Sequence, residues 1–170
     1  MEVKEHRATL DIGSHAATVT VEATFHNPNA VRIEGTYVFP VGKQASVSSF
    51  SMSINGKTVE AELLDAGKAR KLYEDIVHKL EDPALLEYVD QGLLRARVYP
   101  IEPHADVRII LTYETAVNRD DGMCRVRYPL LSARPGGKNT IATLNIEATL
   151  KTAHSLKSVF VPGFDIETTR

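Results

Sequence analysis

Apolar and polar residues alternate with a period of two along most of this chain, and the pattern turns helical only once. Residues 16–26 set Ala17, Val19, Val21, Ala23 and Phe25 on one side and Thr18, Thr20, Glu22, Thr24 and His26 on the other, as a half-buried strand requires. Asn27, Pro28 and Asn29 close it with turn residues. A second strand over 35–39 stops at Pro40, which has no N–H for a ladder. Over 46–54, Phe50, Met52 and Ile54 share a face ahead of Asn55-Gly56. That pair tolerates positive φ at both positions and predicts a hairpin returning over 57–63.

The period then lengthens. Ala69, Leu72, Tyr73, Ile76, Val77 and Leu80 recur at three and four residues with charged residues between them, which predicts an amphipathic helix over 66–80 capped by Asp65. Asp82 before Pro83 supplies a second cap and first position, so the chain leaves on a new heading. Leu86 and Tyr88 lead into a turn at 90–92, after which Leu94, Ala96 and Val98 alternate with Arg95, Arg97 and Tyr99 up to Pro100. Residues 107–117 form the clearest long strand, with Val107, Ile109, Leu111, Tyr113 and Val117 on one face. A loop at 118–122, a strand at 124–130, a Pro-Gly-Gly loop at 135–137 and a strand over 141–150 follow.

About ten strands with short turns and a single helix predict a mostly β fold, an antiparallel β-sandwich with the helix docked over one open end or edge. No linker divides the chain, so residues 1–170 read as one domain. Its trailing strands, over 120–170 and running through Phe160 and Val161, either close the sandwich or lead toward a further domain.

Composition narrows the function. The 170 residues are 43% apolar and 25% charged with a net charge of −2, enough chain to bury a core without metal or disulfide. Lysines and arginines are scattered, so no basic footprint for nucleic acid or an acidic membrane emerges. No run of about 18 apolar residues could span a bilayer, and residues 1–15 hold no signal-peptide core. A leader removed from the chain would leave the same sequence, so the compartment stays open.

Candidate chemistry is sparse. His6, His15, His26, His78, His104 and His154 never fall at metal-binding spacing and read as surface or structural residues. Glu81 and Asp82 lie near His78, but Asp82 before proline is what a cap requires. Cys124 stands alone, which excludes an internal disulfide, and reads as a buried strand thiol. The alternating serines at 46–53 lack a nucleophile elbow, and Gly136-Gly137-Lys138 lacks the rest of a phosphate loop. Tyr37, Tyr73, Tyr88, Tyr99 and Tyr113 read as rim-of-core residues with their hydroxyls at the wet edge. Arg95, Arg97 and, on the next strand, Arg108 could form a small cationic ladder for an acidic partner, or a solvated sheet face paired with Glu87 or Glu114. No catalytic, cofactor or metal site is expected.

Several fragments, in order, resemble the vault protein inter-alpha-trypsin (VIT) domain: TFHNP at 24–28, EGTYVFP at 34–40, ARKLYEDIV at 69–77, DPALLEY at 82–88, RARVYPIEP at 95–103 and LTYE at 111–114. They place Tyr73, Asp82, Pro83, Leu85, Leu86, Tyr88, Pro100 and Tyr113 at the structural positions of that motif set. YPL at 128–130 and SVFVP at 158–162 resemble the segment that often trails it, and DPALLEY is closest in style to bacterial members. Val41-Gly42 departs from the Leu-Pro that relatives commonly carry after FP. The resemblance implies a non-catalytic interaction or scaffold module, usually ahead of a von Willebrand factor type A domain and often exported. Its partner would then be another protein or an adjacent domain. The DxSxS metal motif of the A-type domain is absent here, since Gly13 stands where its first serine would be in Asp11-Ile12-Gly13-Ser14-His15. A carbohydrate- or matrix-binding module is the other reading, disfavoured by 6% aromatic content and no tryptophan.

Overall fold

A computed structural model describes residues 1–54, 57–60, 63–64, 84–90, 92–130, 141–152 and 155–169. The chain is mostly β. Its strands among the described residues are β1 (Glu2–Ile12), β2 (Ala16–His26), β3 (Ile33–Pro40), β4 (Ser46–Ile54), β5 (Lys57–Glu60) and β6 (Leu63–Leu64), followed by β7 (Ala84–Asp90), β8 (Leu93–Ile101), β9 (Asp106–Ala116), β10 (Asn118–Asp120), β11 (Met123–Arg125) and β12 (Ile141–Leu150). The helix predicted over 66–80, with Tyr73, and the Asp82-Pro83 cap lie outside the described residues. No helix among the described residues is long and apolar enough to cross a membrane.

A six-stranded sheet runs β12-β1-β2-β9-β4-β5, a four-stranded sheet runs β3-β8-β7-β6, and β10 with β11 makes a small hairpin. Neither large sheet closes on itself. The inward residues are those the alternation predicts: Ala17, Val19, Val21, Ala23 and Phe25 on β2, Val107, Ile109, Leu111 and Tyr113 on β9, and Phe50 and Met52 on β4 are all buried. Phe39 on β3 and Leu94, Ala96 and Val98 on β8 belong to the same hydrophobic cluster. Aromatic rings knit it together, Phe25 to Tyr37 at 4.6 Å between centroids, Tyr37 to Phe39 at 4.5 Å and Phe39 to Phe50 at 6.5 Å. Strands of both sheets thus bury their apolar faces in one core, the dominant favourable term in folding.

Local chemistry explains the joints. Ile54 and Lys57 are register partners, so β4 and β5 pair across two residues, as the hairpin signal predicts. At the β7–β8 turn, Gly92 has φ +88, and a Cβ there would come within 2.6 Å of the Gly42 backbone carbonyl carbon; only glycine fits. The Gly92 carbonyl accepts from the N–H of Val41 and of Gly42. The departure at Val41-Gly42 is therefore structural: a proline at position 42 could neither donate that bond nor reach φ +93. At Pro100 the strand does not stop. β8 continues to Ile101, and its ladder with β3 steps from Gly35↔Val98 to Ile33↔Ile101, passing the residue that has no N–H.

Four expectations are corrected. The sheets are not antiparallel throughout, because β12 runs parallel to β1 and β6 parallel to β7; alternation reports which face a residue takes, never the direction of the neighbouring strand. The loop expected at 118–122 is instead a hairpin, with Asp120 opposite Met123 and Asp121 and Gly122 both at positive φ, the backbone that an Asp-Gly pair favours. The strand expected over 124–130 ends at Arg125, after which Val126 and Tyr128 pack on the core as irregular chain. Past Leu150 the described residues hold no strand, so Phe160 and Val161 are exposed, not strand residues.

Candidate functional site

Three polar constellations and one open strand are the features from which a site could be built. The first sits where β1, β2 and β9 lie side by side. Asp106 accepts from the Lys4 ammonium at 2.8 Å and lies 2.6 Å from Nδ1 of His26. The lysine hydrogen bond foremost, opposed by some desolvation and helped by His26, holds the Asp106 carboxyl below its ordinary range. Lys4 and Asp106 are exposed and His26 half-buried, and each member is used by another, so the trio ties three strands together near the surface.

The second is Asn27, wholly buried. Its side-chain amide donates to the carbonyls of Val31 at 2.9 Å, Ile101 at 3.1 Å and Glu102 at 3.0 Å, while its Oδ1 accepts from the backbone N–H of Asn29 at 3.0 Å. Its own N–H donates to the Ala105 carbonyl. One side chain at the end of β2 therefore rivets the six-stranded sheet to the end of β8 in the other sheet. Read from sequence, Asn27 was a turn residue; the signal available was an amide, the side chain with both donors and an acceptor, placed directly after a fully alternating strand.

The third is His6, buried on β1, whose Nε2 lies 2.6 Å from the Tyr128 hydroxyl. This bond latches the irregular segment after β11 onto the core. Burial pushes His6 below its ordinary value and Tyr113 up to about 12, and Tyr128 is pushed well up by its own desolvation. Tyr113 is 1% exposed, which corrects the wet-rim reading: it stands mid-strand on β9, facing the core. For His6 the unfolded chain takes up the proton first, so folding stability is fully present above about pH 6.5 and is lost as pH falls from there toward the lower folded value. A denaturant series between pH 8 and pH 5 should show this decline, and His6→Phe should flatten it; a wild-type midpoint that rises on acidification contradicts it.

Of the two readings of the arginines, a cationic ladder or a solvated face paired with glutamates, the strand order does not bring the three together as a ladder. Arg95 and Arg97 lie on β8 in the four-stranded sheet, whereas Arg108 lies on β9 in the six-stranded sheet. Each alternates with core residues of its own strand, so the arginines occupy outer faces on opposite sides of the core. Arg108 is paired with Glu22, Arg95 is the register partner of Glu87, and Glu114 sits opposite Thr18 and Ser46. Leu85, Leu86 and Tyr88 fall within β7. Cys124 is exposed, not buried, because β11 belongs to the small hairpin that contributes nothing to the core. Among the described residues no three His, Cys, Asp or Glu side chains come together as a metal site.

β12 is the open strand. It ends the six-stranded sheet and pairs with β1 without interruption from Glu5↔Thr143 to Ile12↔Leu150. Register partners in a ladder share a face, so Leu144, Ile146 and Leu150 continue the row of His6, Ala8 and Ile12. They are nevertheless 39%, 42% and 39% exposed: an apolar row in line with the core that the described residues do not cover. Its one ionisable residue is Glu147, and the ladder has no bulge or proline, so the edge lacks the usual protections. The sequence predicted this strand but not its exposure, since alternation looks the same whether its apolar face is covered or waiting.

Comparison with known proteins places these features. The model of the vault protein inter-alpha-trypsin domain matches residues 3–113. A von Willebrand factor A domain-containing protein 5A of Mus musculus is 30% identical over 132 residues, covering 76% of this chain and 17% of that protein. The mouse protein mono-ADP-ribosyltransferase PARP4 is 31% identical over 60% of this chain and 5% of its own length. The human inter-alpha-trypsin inhibitor heavy chain H6 is 26% identical over 92% of this chain and 11% of its own. The chain thus spans less than a fifth of each of these relatives.

Proposed function

Because the chain belongs to the vault protein inter-alpha-trypsin domain family, we propose that it is a non-catalytic docking module: a two-layer β-sandwich that carries a binding strand and seats a von Willebrand A-type domain of the same polypeptide. Two kinds of support converge. Relatives as different as an A-domain protein, an ADP-ribosyltransferase and an inhibitor heavy chain share this segment, which favours a common structural duty over a common reaction. Two of the three polar constellations are spent on structural contacts, Asn27 on carbonyls and Asp106 on Lys4 and His26.

The observation that carries the reading is β12, with Leu144, Ile146 and Leu150 exposed beside a buried core row. Covering such a row removes apolar area from water at about 25 cal/mol per Å², and an open edge adds backbone hydrogen bonds to a partner. The double substitution Leu144→Lys with Ile146→Lys tests it. Titration of the chain with the A-type domain should give a one-to-one complex that the double variant weakens at least tenfold while its circular dichroism and melting temperature hold. Equal affinity of the variant and the parent contradicts the reading.

A further inference from the structure

Beneath the irregular segment that follows β11, one small cavity collects four polar side chains, His6, Tyr37, Tyr113 and Tyr128. The site lies where three parts of the fold meet: β1 and β9 of the six-stranded sheet, β3 of the four-stranded sheet, and the strap carrying Tyr128. His6 and Tyr113 are 5% and 1% exposed, yet Nδ1 of His6 and the hydroxyl of Tyr113 have no hydrogen-bond partner among the described residues. Buried polar atoms left in that state are uncommon and destabilising. The two residues that carry them both line this cavity, which points to a shared partner within it.

Volume and charge together identify the partner. The cavity offers about 10 Å³ to the centre of a water-sized molecule, close to the roughly 10–15 Å³ that a single water needs and far below any substrate or cofactor. Among the described lining residues there is no carboxylate to hold a cation and no lysine or arginine to hold an anion. His6, desolvated and neutral, adds no charge. We propose that this cavity is a binding site for one structural water, which bridges Nδ1 of His6 to the Tyr113 hydroxyl and completes a buried polar chain running from Tyr113 through His6 to Tyr128.

A water suits this position whichever way the imidazole is protonated. If the Tyr128 hydroxyl donates to Nε2, Nδ1 carries the hydrogen and donates to the water; in the other tautomer Nδ1 accepts from it. The Tyr113 hydroxyl can likewise donate or accept. A side chain fixed as donor or acceptor could satisfy only one of these states. The site therefore hydrates the joint between strap and core without demanding a fixed tautomer.

A high-resolution crystal structure of the chain decides it. The expected result is one well-ordered water within about 2.6–3.2 Å of both His6 Nδ1 and Tyr113 Oη, lost in the same map of Tyr113→Phe. An empty cavity, a direct bond from either atom to the protein, or a water that stays in place in the Tyr113→Phe variant overturns the proposal. Should that variant fail to fold, the parent map alone separates the outcomes.

Discussion

Replacing Phe25 by alanine is expected to remove about 3–5 kcal/mol of folding stability. Phe25 is 1% exposed on β2 and its ring lies 4.6 Å from that of Tyr37 on β3, so it belongs to both layers at once. Truncation deletes the transfer term for the ring and leaves a void that strands fixed by ladders on either side cannot close. The register of β2 with β1 and with β9 holds the backbone in place along nearly its whole length. At about 2–4 °C per kcal/mol for a chain of this size, the melting temperature should fall by about 6–20 °C. Calorimetry showing a shift within a degree or two would mean that the aromatic run between the sheets contributes little.

Asn27→Ala should rank close behind, at about 3 kcal/mol, although it removes hardly any apolar contact. The two amide hydrogens are shared among the carbonyls of Val31, Ile101 and Glu102 at the seam between the sheets, and Oδ1 accepts from the Asn29 N–H. Each buried acceptor left without its donor costs about 1 kcal/mol or more. Asn27→Asp sharpens the test, because it keeps the shape but turns a carboxylate oxygen toward three carbonyl oxygens. At neutral pH the aspartate variant should be less stable than the alanine variant. It should also recover in part on acidification, when the protonated acid regains one donor. Chemical denaturation of the two variants at pH 7 and pH 4, each referred to the parent at the same pH, reads both effects; equal stabilities at both pH values would show that Asn27 is only a turn residue.

What the sequence made legible follows from what alternation encodes. The buried faces of β2, β4, β8 and β9 could be read directly, because a residue on a pleated strand has only two directions to point. Sheet membership could not. Arg97 and Arg108 are close in sequence and share an outward phase, yet β8 and β9 enter different sheets, and nothing local to either strand records that parting. The hairpin at Asp121-Gly122 was legible in principle, since the pair is as strong a turn signal as Asn55-Gly56, but its flanking strands of three residues are too short to show a period.

The polar anchors were hidden for a different reason. His6, Asn27 and Tyr128 acquire their roles only through partners distant in the chain, Tyr128 for His6 and Ile101 for Asn27. Composition registers such residues as ordinary surface types. The family motifs did register two of them: TFHNP contains Asn27, and YPL contains Tyr128. Their presence in those fragments now has a physical account, a cross-sheet rivet and a latch on the strap. Exposure of β12 was the remaining surprise, and the proposed docking function rests on it.

Amide hydrogen exchange along β12, recorded for the chain alone and with the von Willebrand A-type domain proposed as its partner, tests the docking account most directly. The account predicts that amides between Ile141 and Leu150 become markedly slower in the complex while those of the β10–β11 hairpin keep their rates. Unchanged exchange across β12, with protection arising on the outer face that bears Arg95 and Arg97 instead, would contradict it.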